Sequence, residues 1–340
     1  MKKTIQRLEY LKAFVLIAVA VPLLTMSVGH VSTALALDKA TFNMSWLPQG
    51  STGGIIVGIY KGFYKEVGID AKAVRGYGGN RTANELDQGM FEFALGNPVG
   101  MIFTNSKGGN VRMVGSLNDQ WPASLCYIKE VRDPRSIADL KGLTTGGGNY
   151  SPVHKVLPAW LKKNGFSQNH VKLIRMKPAV VNAALIEGQI DLAECWAASN
   201  RPLIKKLAKK AGKTAGWLEY NKFNLNIYGS GIATSEKVLS KNPDMVRRFV
   251  KATFRGYRYL QQNPKDSADI IVKEYPALDR EVVLEQVKDM NEIISRQDPA
   301  HPMGWMKEDR WKETISFITS AYKVEKPVKA SDMYTNAFLK

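Results

Sequence analysis

Apolar and polar positions along this chain fall into one layout, used twice. The run "TFNMSW" (residues 41–46) alternates with the period of two that marks a half-buried strand. After the loop "WLPQGSTGG", the amphipathic run "IIVGIYKGFYKEVG" predicts a helix over residues 55–66, closed by Gly68. "IDAKAV" predicts the next strand, "RGYGGNRT" a loop, and a second helix ends at Gly89. Phe91, Phe93 and Leu95 then alternate as a third strand.

The second half repeats this order. "GLTTGGGNYSP" supplies strand and loop, and Pro152 suits the first turn of a helix that Gly165 closes. "VKLIRM" predicts a strand, "KPAV" a loop, and the following helix ends at Gly188 before a strand with Ile190 and Leu192. The two halves share an explicit echo, "LDQGMFEFA" (residues 86–94) and "LIEGQIDLA" (residues 185–193), with the pattern L-x-x-G-x-[FI]-[ED]-[FL]-A. The closing glycines are 21 residues apart in one half (Gly68, Gly89) and 23 in the other (Gly165, Gly188).

Strands alternating with helices imply a mostly parallel sheet in each half, flanked by helices, and therefore an α/β protein of two similar lobes. The expected division is residues 37–124 plus 229–340 for lobe 1 and 125–228 for lobe 2. Residues 235–338 read as helical and are expected to pack back on the first lobe. Ligands of open α/β sheets sit beyond the carboxyl ends of the strands. That rule selects the loops "WLPQGST", "RGYGGNR", "LGNPVG", "TGGGNYS", "MKPAV" and "ECWAASN", which would face one another across a cleft.

The N-terminus changes the picture of where the chain works. Lys2, Lys3, Arg7 and Lys12 precede the apolar run "AFVLIAVAVPLL", and "ALA" (residues 34–36) follows in the A-x-A pattern of a cleavage site. Residues 1–36 are expected to be a secretory signal peptide; the alternative is an N-terminal anchor helix. The apolar run is roughly half the ~20 residues a membrane span needs. An exported, periplasmic location follows.

The chain of 340 residues has a formal charge of +17, which falls to about +14 without residues 1–36. An exported protein rarely meets nucleic acid, so no nucleic-acid partner is expected. "KKLAKKAGK" (residues 205–213) reads as a solvated helix face. Cys126 and Cys195 are favoured as two separately buried thiols, with a disulfide as the alternative.

Catalytic and cofactor motifs are absent. His154, His170 and His301 have no second ligand at i+2 to i+4, and neither G-x-S-x-G, a Walker A motif nor G-x-G-x-x-G occurs. No cofactor or metal is implied. The loops instead carry recognition chemistry. Trp46 and Trp196 stand at corresponding strand ends and suit a planar ligand. Glu194 can accept hydrogen bonds from an amine or amidine. Gly148, Asn149, Tyr150 and Ser151 precede a helix whose N-terminus suits an anionic group. Asn118, Asp119 and Trp121 are expected near the same cleft, and Asn226 and Tyr228 serve either hinge or ligand.

"W-L-P" followed by "GIYKGFYKEVGIDAKAVRGYGGN", then "DQGMFEFALGNP", "IADLKGLTTGG" and "ALIEGQIDLAECWAA", resembles the solute-binding proteins of bacterial ABC importers. The likeness is to the nitrate/sulfonate/taurine branch and the thiamine-pyrimidine-precursor branch. It implies a two-lobe periplasmic-binding-protein fold of type II that closes on its ligand by a hinge. A monomeric, non-catalytic protein would then deliver a small organic solute to a cognate ABC permease in the inner membrane. That solute would be a nitrogen-containing aromatic such as a pyrimidine precursor, or a sulfonate or carboxylate. The resemblance adds Gln49, Ser51, Thr52, Tyr77 and Asn97 to the candidate ligand residues. A thiamine-pyrimidine synthase-like enzyme and a ligand-sensing module for a membrane receptor remain the alternatives.

Overall fold

The computed structural model describes residues 36–339, which build two five-stranded sheets. The expected signal peptide falls, but for Ala36, outside the described residues. The first sheet holds β1 (Asp38–Asn43), β2 (Ile69–Val74), β3 (Phe93–Gly96), β4 (Val111–Ser116) and β10 (Gly231–Ser235). The second holds β5 (Ala123–Ile128), β6 (Thr144–Gly148), β7 (Lys172–Met176), β8 (Leu192–Trp196) and β9 (Ala215–Glu219). Their orders, β2-β1-β3-β10-β4 and β7-β6-β8-β5-β9, are the same permutation.

In each sheet three neighbouring strands run parallel, as the alternation with helices predicts. One strand in each, β10 or β5, runs antiparallel to both its neighbours. Each is the first strand the chain forms after passing from the other sheet. The chain crosses through residues 117–122 and returns through residues 220–230. A strand entering directly from the opposite lobe points back from the cleft, so it must insert against the direction of its neighbours.

The glycine punctuation is observed where the two halves match. Gly68, Gly89, Gly165 and Gly188 all have φ between 74° and 80°, the left-handed conformation a β-carbon disfavours. The first helix is shorter than expected: it spans Gly53–Tyr60, because Gly62 at φ 77° breaks it, and Lys65–Val67 is a separate 3₁₀ turn. The first strand ends at Asn43 rather than residue 46, because Ser45 adopts φ 62° and turns the chain toward the cleft.

The C-terminal helices divide their packing between the lobes. Pro243–Gln262 lies on Gly53–Tyr60 of the first lobe, with Phe249 stacked 3.7 Å from Phe93. Glu308–Ala321, in contrast to the expectation, packs on the second lobe's helix Val153–Lys163. Its wholly buried Trp311 and Ile318 belong to one core with Val156 and Trp160, and Lys162 Nζ donates to the Ser320 carbonyl at 2.7 Å. Among the described residues, no helix is long and apolar enough to cross a membrane.

Cys126 and Cys195 form a disulfide, which overturns the expectation of two free buried thiols. They lie on the paired antiparallel strands β5 and β8, two residues out of register on one face, so the sheet brings the sulfurs together. No strand pairing of β5 was foreseen, and without it the two cysteines have no reason to meet.

Candidate ligand-binding cleft

A cavity of about 510 Å³ opens between the strand ends of the two sheets. On the first lobe, the turn after β1 supplies Ser45, Trp46, Gln49 and Ser51, and the ends of β3 and β4 supply Asn97 and Asn118. On the second lobe, Gly148 and Ser151 follow β6, and Glu194 and Trp196 end β8.

Glycines let the two sides meet. The Trp46 ring lies over Gly148 so closely that a β-carbon there would stand 2.6 Å from its Cη2. At Gly78, with φ 127°, a β-carbon would meet the Tyr150 backbone at 2.7 Å. Gly78 of "RGYGGN" and Gly148 of "TGGGNYS" therefore serve loop-to-loop contact across the cleft. Hydrogen bonds cross it as well: Ser51 N donates to the Ala198 carbonyl at 3.0 Å, and Gln286 Nε2 donates to the Ser199 carbonyl at 2.6 Å. Gln286 Oε1 also accepts from Gly50 N at 2.9 Å, and the Ser199 hydroxyl donates to Gln49.

Glu194 is the chemical centre of the second wall. Its carboxyl is buried and accepts a hydrogen bond from the Ser151 hydroxyl. Burial pushes its pKa from 4.5 up to about 7, although hydrogen bonds with Ser151 and the Trp196 side chain pull it down. At neutral pH such a group is a carboxylic acid about as often as a carboxylate, so it can both donate and accept. The Trp196 ring leans on the buried Trp121 ring at 4.9 Å, which fixes its plane. Asn200 holds the strand end in place: its Oδ1 accepts from Trp196 N at 2.9 Å, and its Nδ2 donates to the Glu194 carbonyl at 3.0 Å.

Eight of the expected ligand residues line this cavity together: Trp46, Gln49, Ser51, Asn97, Gly148, Ser151, Glu194 and Trp196. The others are placed elsewhere. Thr52 is fully buried and donates its hydroxyl to the Gln49 carbonyl, so it shapes the turn from beneath. Tyr77 is exposed, with the Arg75 and Arg81 guanidiniums 4.5 and 4.7 Å from its ring. Asn149 and Tyr150 point to solvent. Asn226 is exposed and donates to Glu313 at 3.0 Å, outside the cavity. Asn118 reaches the cavity, whereas Asp119, Trp121 and Tyr228 line a separate charged cleft of about 390 Å³.

The anion-holding helix end is a further correction. Asn149 N already donates to the Met176 carbonyl, Ser151 N to the Gly148 carbonyl, and Val153 N to the Ser151 hydroxyl. The group beside them is the Glu194 carboxyl, which would repel a bound anion when ionised. His154 adds no positive charge: burial, then the charge of Arg175, lowers its pKa below the ordinary 6.5, and its Nε2 is engaged with the Gly148 carbonyl at 3.0 Å. Sequence reasoning missed Asn200, Gln286 and Asn182, which lines the cavity and accepts from Asn200 Nδ2 at 3.2 Å. Their only sequence signal is an amide at a helix start or on a helix face, which carries no chemistry until the strand end it braces is known.

The fold and its cleft define a two-lobe α/β ligand-binding architecture. The family model described as "NMT1/THI5 like" matches residues 49–267, and the chain belongs to that family. It is similar to a riboflavin-binding protein of Chloroflexus aurantiacus, 26% identical over 89% of this chain and 86% of the relative. A formylaminopyrimidine-binding protein of Halalkalibacterium halodurans is 21% identical over 96% of this chain and 99% of its own. The 4-amino-5-hydroxymethyl-2-methylpyrimidine phosphate synthases of Saccharomyces cerevisiae are 22% identical over 90% of this chain and 89% of theirs. Among solved structures, the periplasmic aliphatic sulphonate binding protein SsuA from Escherichia coli superposes with a TM-score of 0.64 at 14% identity. That match covers 89% of this chain and 99% of the other, and the shared architecture is the two-lobe periplasmic-binding-protein fold.

Proposed function

We propose that this chain is the extracytoplasmic solute-binding component of an ABC importer, and that its ligand is an uncharged nitrogen heteroaromatic such as a pyrimidine precursor or a flavin-like ring. One observation carries the choice of ligand: among the described residues, those lining the cavity include Glu194 and Asp279 but no Lys, Arg or His. A nitrate, sulfonate or carboxylate would enter such a site against a buried acid and without a counter-charge. A heteroaromatic ring suits it. Trp46 and Trp196 offer faces for stacking, and the Glu194 carboxyl offers one donor and one acceptor to a ring nitrogen and its amino or carbonyl neighbour. The names of the riboflavin- and formylaminopyrimidine-binding relatives agree with that chemistry.

The ligand is captured by closure of the two lobes and handed to a permease, with the protein acting as a monomer in the periplasm. The Cys126–Cys195 disulfide suits an oxidising compartment reached through a cleaved signal peptide. The yeast synthases favour a second reading, turnover of a pyridoxal- or pyrimidine-like molecule. Two features weigh against it: both cysteines are tied up in the disulfide, and His154 is bonded to a backbone carbonyl. Native mass spectrometry of the purified protein tests both. The expected result is a heteroaromatic released unchanged on denaturation; a bound sulfonate, or a chemically altered ligand, contradicts the proposal.

A further inference from the structure

The polar strand ends account for only part of the cavity. Its remaining wall is apolar: Pro178 comes from the loop "MKPAV" that the strand-end rule selects, and the other residues come from helix starts that it does not. Pro178 and Val181 stand on the second lobe, and its Cγ places Pro178 3.6 Å from the position of a β-carbon on Gly148, beside the Trp46 ring. Leu203 lies one turn along Asn200–Lys210 from the Asn200 that braces Glu194. The first lobe answers with Leu278 and Val282, around the start of Arg280–Ser295.

These residues face one another under an ion pair between the lobes. Lys206, three residues beyond Leu203, bonds Asp279 at 2.7 Å and Glu281 at 2.7 Å, and Val282 N donates to Asp279 Oδ1 at 3.1 Å. Residues three apart share a helix face, so Leu203 lies on the Lys206 side of its helix and Val282 beside Asp279. The apolar wall thus runs from the edge of Trp46 toward Asp279, which lines the same cavity and pairs with Lys206. None of its side chains offers a hydrogen bond, so it suits hydrocarbon rather than the polar edge of a pyrimidine ring.

We infer that this wall is a second subsite that takes an apolar extension of the ligand, a fused benzenoid ring or an alkyl group larger than methyl. The inference rests on the reading of Trp46, Glu194 and Trp196 as the heteroaromatic site. The ligand is then amphipathic in plan: its polar ring edge meets Glu194, and its hydrocarbon end lies between Leu203 and Val282. Specificity for size comes from the second end, since the first recognises an edge that many heterocycles share.

Calorimetric titration of the purified protein with 4-aminopyrimidine and with 4-aminoquinazoline tests this, because the second ligand is the first with a fused benzo ring. The expected result is binding of both, with the quinazoline tighter by roughly tenfold or more. In Leu203→Ser the ratio of the two affinities falls to about threefold or less, and in Leu203→Met it stays near the wild-type ratio. The ratio is the readout because any effect on the common ring cancels. Equal affinity for the two ligands, or an undiminished ratio in Leu203→Ser, overturns the subsite and leaves the ring site standing. Failure of both ligands to bind overturns the ring site and the subsite together.

Discussion

Replacing Glu194 by Gln should remove a pH dependence of stability that the buried carboxyl imposes. The group has an ordinary pKa of 4.5 and is raised to about 7 by burial in the folded protein. Between those values the unfolded chain ionises the carboxyl and the folded chain keeps its proton. The folded state therefore holds more protons, and stability falls as pH rises. The stabilising contribution is complete below about pH 4.5 and gone once the pH has passed about 7. At 1.36 kcal/mol per pH unit, the span from 4.5 to about 7 amounts to about 3 kcal/mol. Gln keeps an acceptor for Ser151 and has no charge to bury.

Urea denaturation of ligand-free protein, followed by circular dichroism at pH 5 and pH 8, reads the difference. Glu194→Gln should gain on the wild type by about 2–3 kcal/mol between the two pH values, since part of the effect is already spent at pH 5. Parallel pH profiles for the two proteins would refute the reasoning, because they would mean that the carboxyl ionises as readily folded as unfolded.

Gly148→Val should weaken heteroaromatic binding roughly tenfold or more, because a β-carbon would stand 2.6 Å from Trp46 Cη2 and hold the lobes apart. Calorimetry gives the affinity, and small-angle scattering should show a larger radius of gyration with ligand present. The double variant Cys126→Ser/Cys195→Ser should lose about 2–4 kcal/mol in urea, since the bridge closes a chain segment across a sequence separation of 69. An unchanged midpoint would make the bridge incidental. Lys206→Ala should change the ligand Kd less than about fivefold, and that change should shrink further in high salt. The side chains of its ion pairs with Asp279 and Glu281 are substantially exposed. A large, salt-resistant loss would show that the pair latches the closed form.

Much of the fold was legible because its punctuation is local. Gly68, Gly89, Gly165 and Gly188 each need a left-handed backbone, and the residues around them already mark where a helix stops and a strand begins. The echo around Gly89 and Gly188 identified β3 and β8, the strands that carry Leu95 and Glu194 to the cleft. The antiparallel strands β5 and β10 were not legible. "ASLCYI" is buried along its whole length, so it has no alternation to read, and its direction depends on the crossing between lobes. The disulfide was hidden for the same reason.

At the site, loop membership was legible and side-chain direction was not. Trp46 and Tyr77 come from neighbouring loops, yet one closes over Gly148 and the other turns outward between Arg75 and Arg81. Ser151 and Tyr150 are adjacent, and the turn after β6 sends one to Glu194 and the other to solvent. The apolar wall from Leu278 and Val282 lay in a region read only as helical packing, because its cleft face exists only once the lobes are assembled.

The central claim is that the cleft selects an uncharged nitrogen heteroaromatic through Glu194, Trp46 and Trp196. A single calorimetric panel of 4-aminopyrimidine, lumichrome, nitrate and methanesulfonate against the purified protein tests it most directly. The account predicts saturable binding of one or both heterocycles and no heat from either anion. Saturable binding of nitrate or methanesulfonate, with neither heterocycle binding, would contradict it.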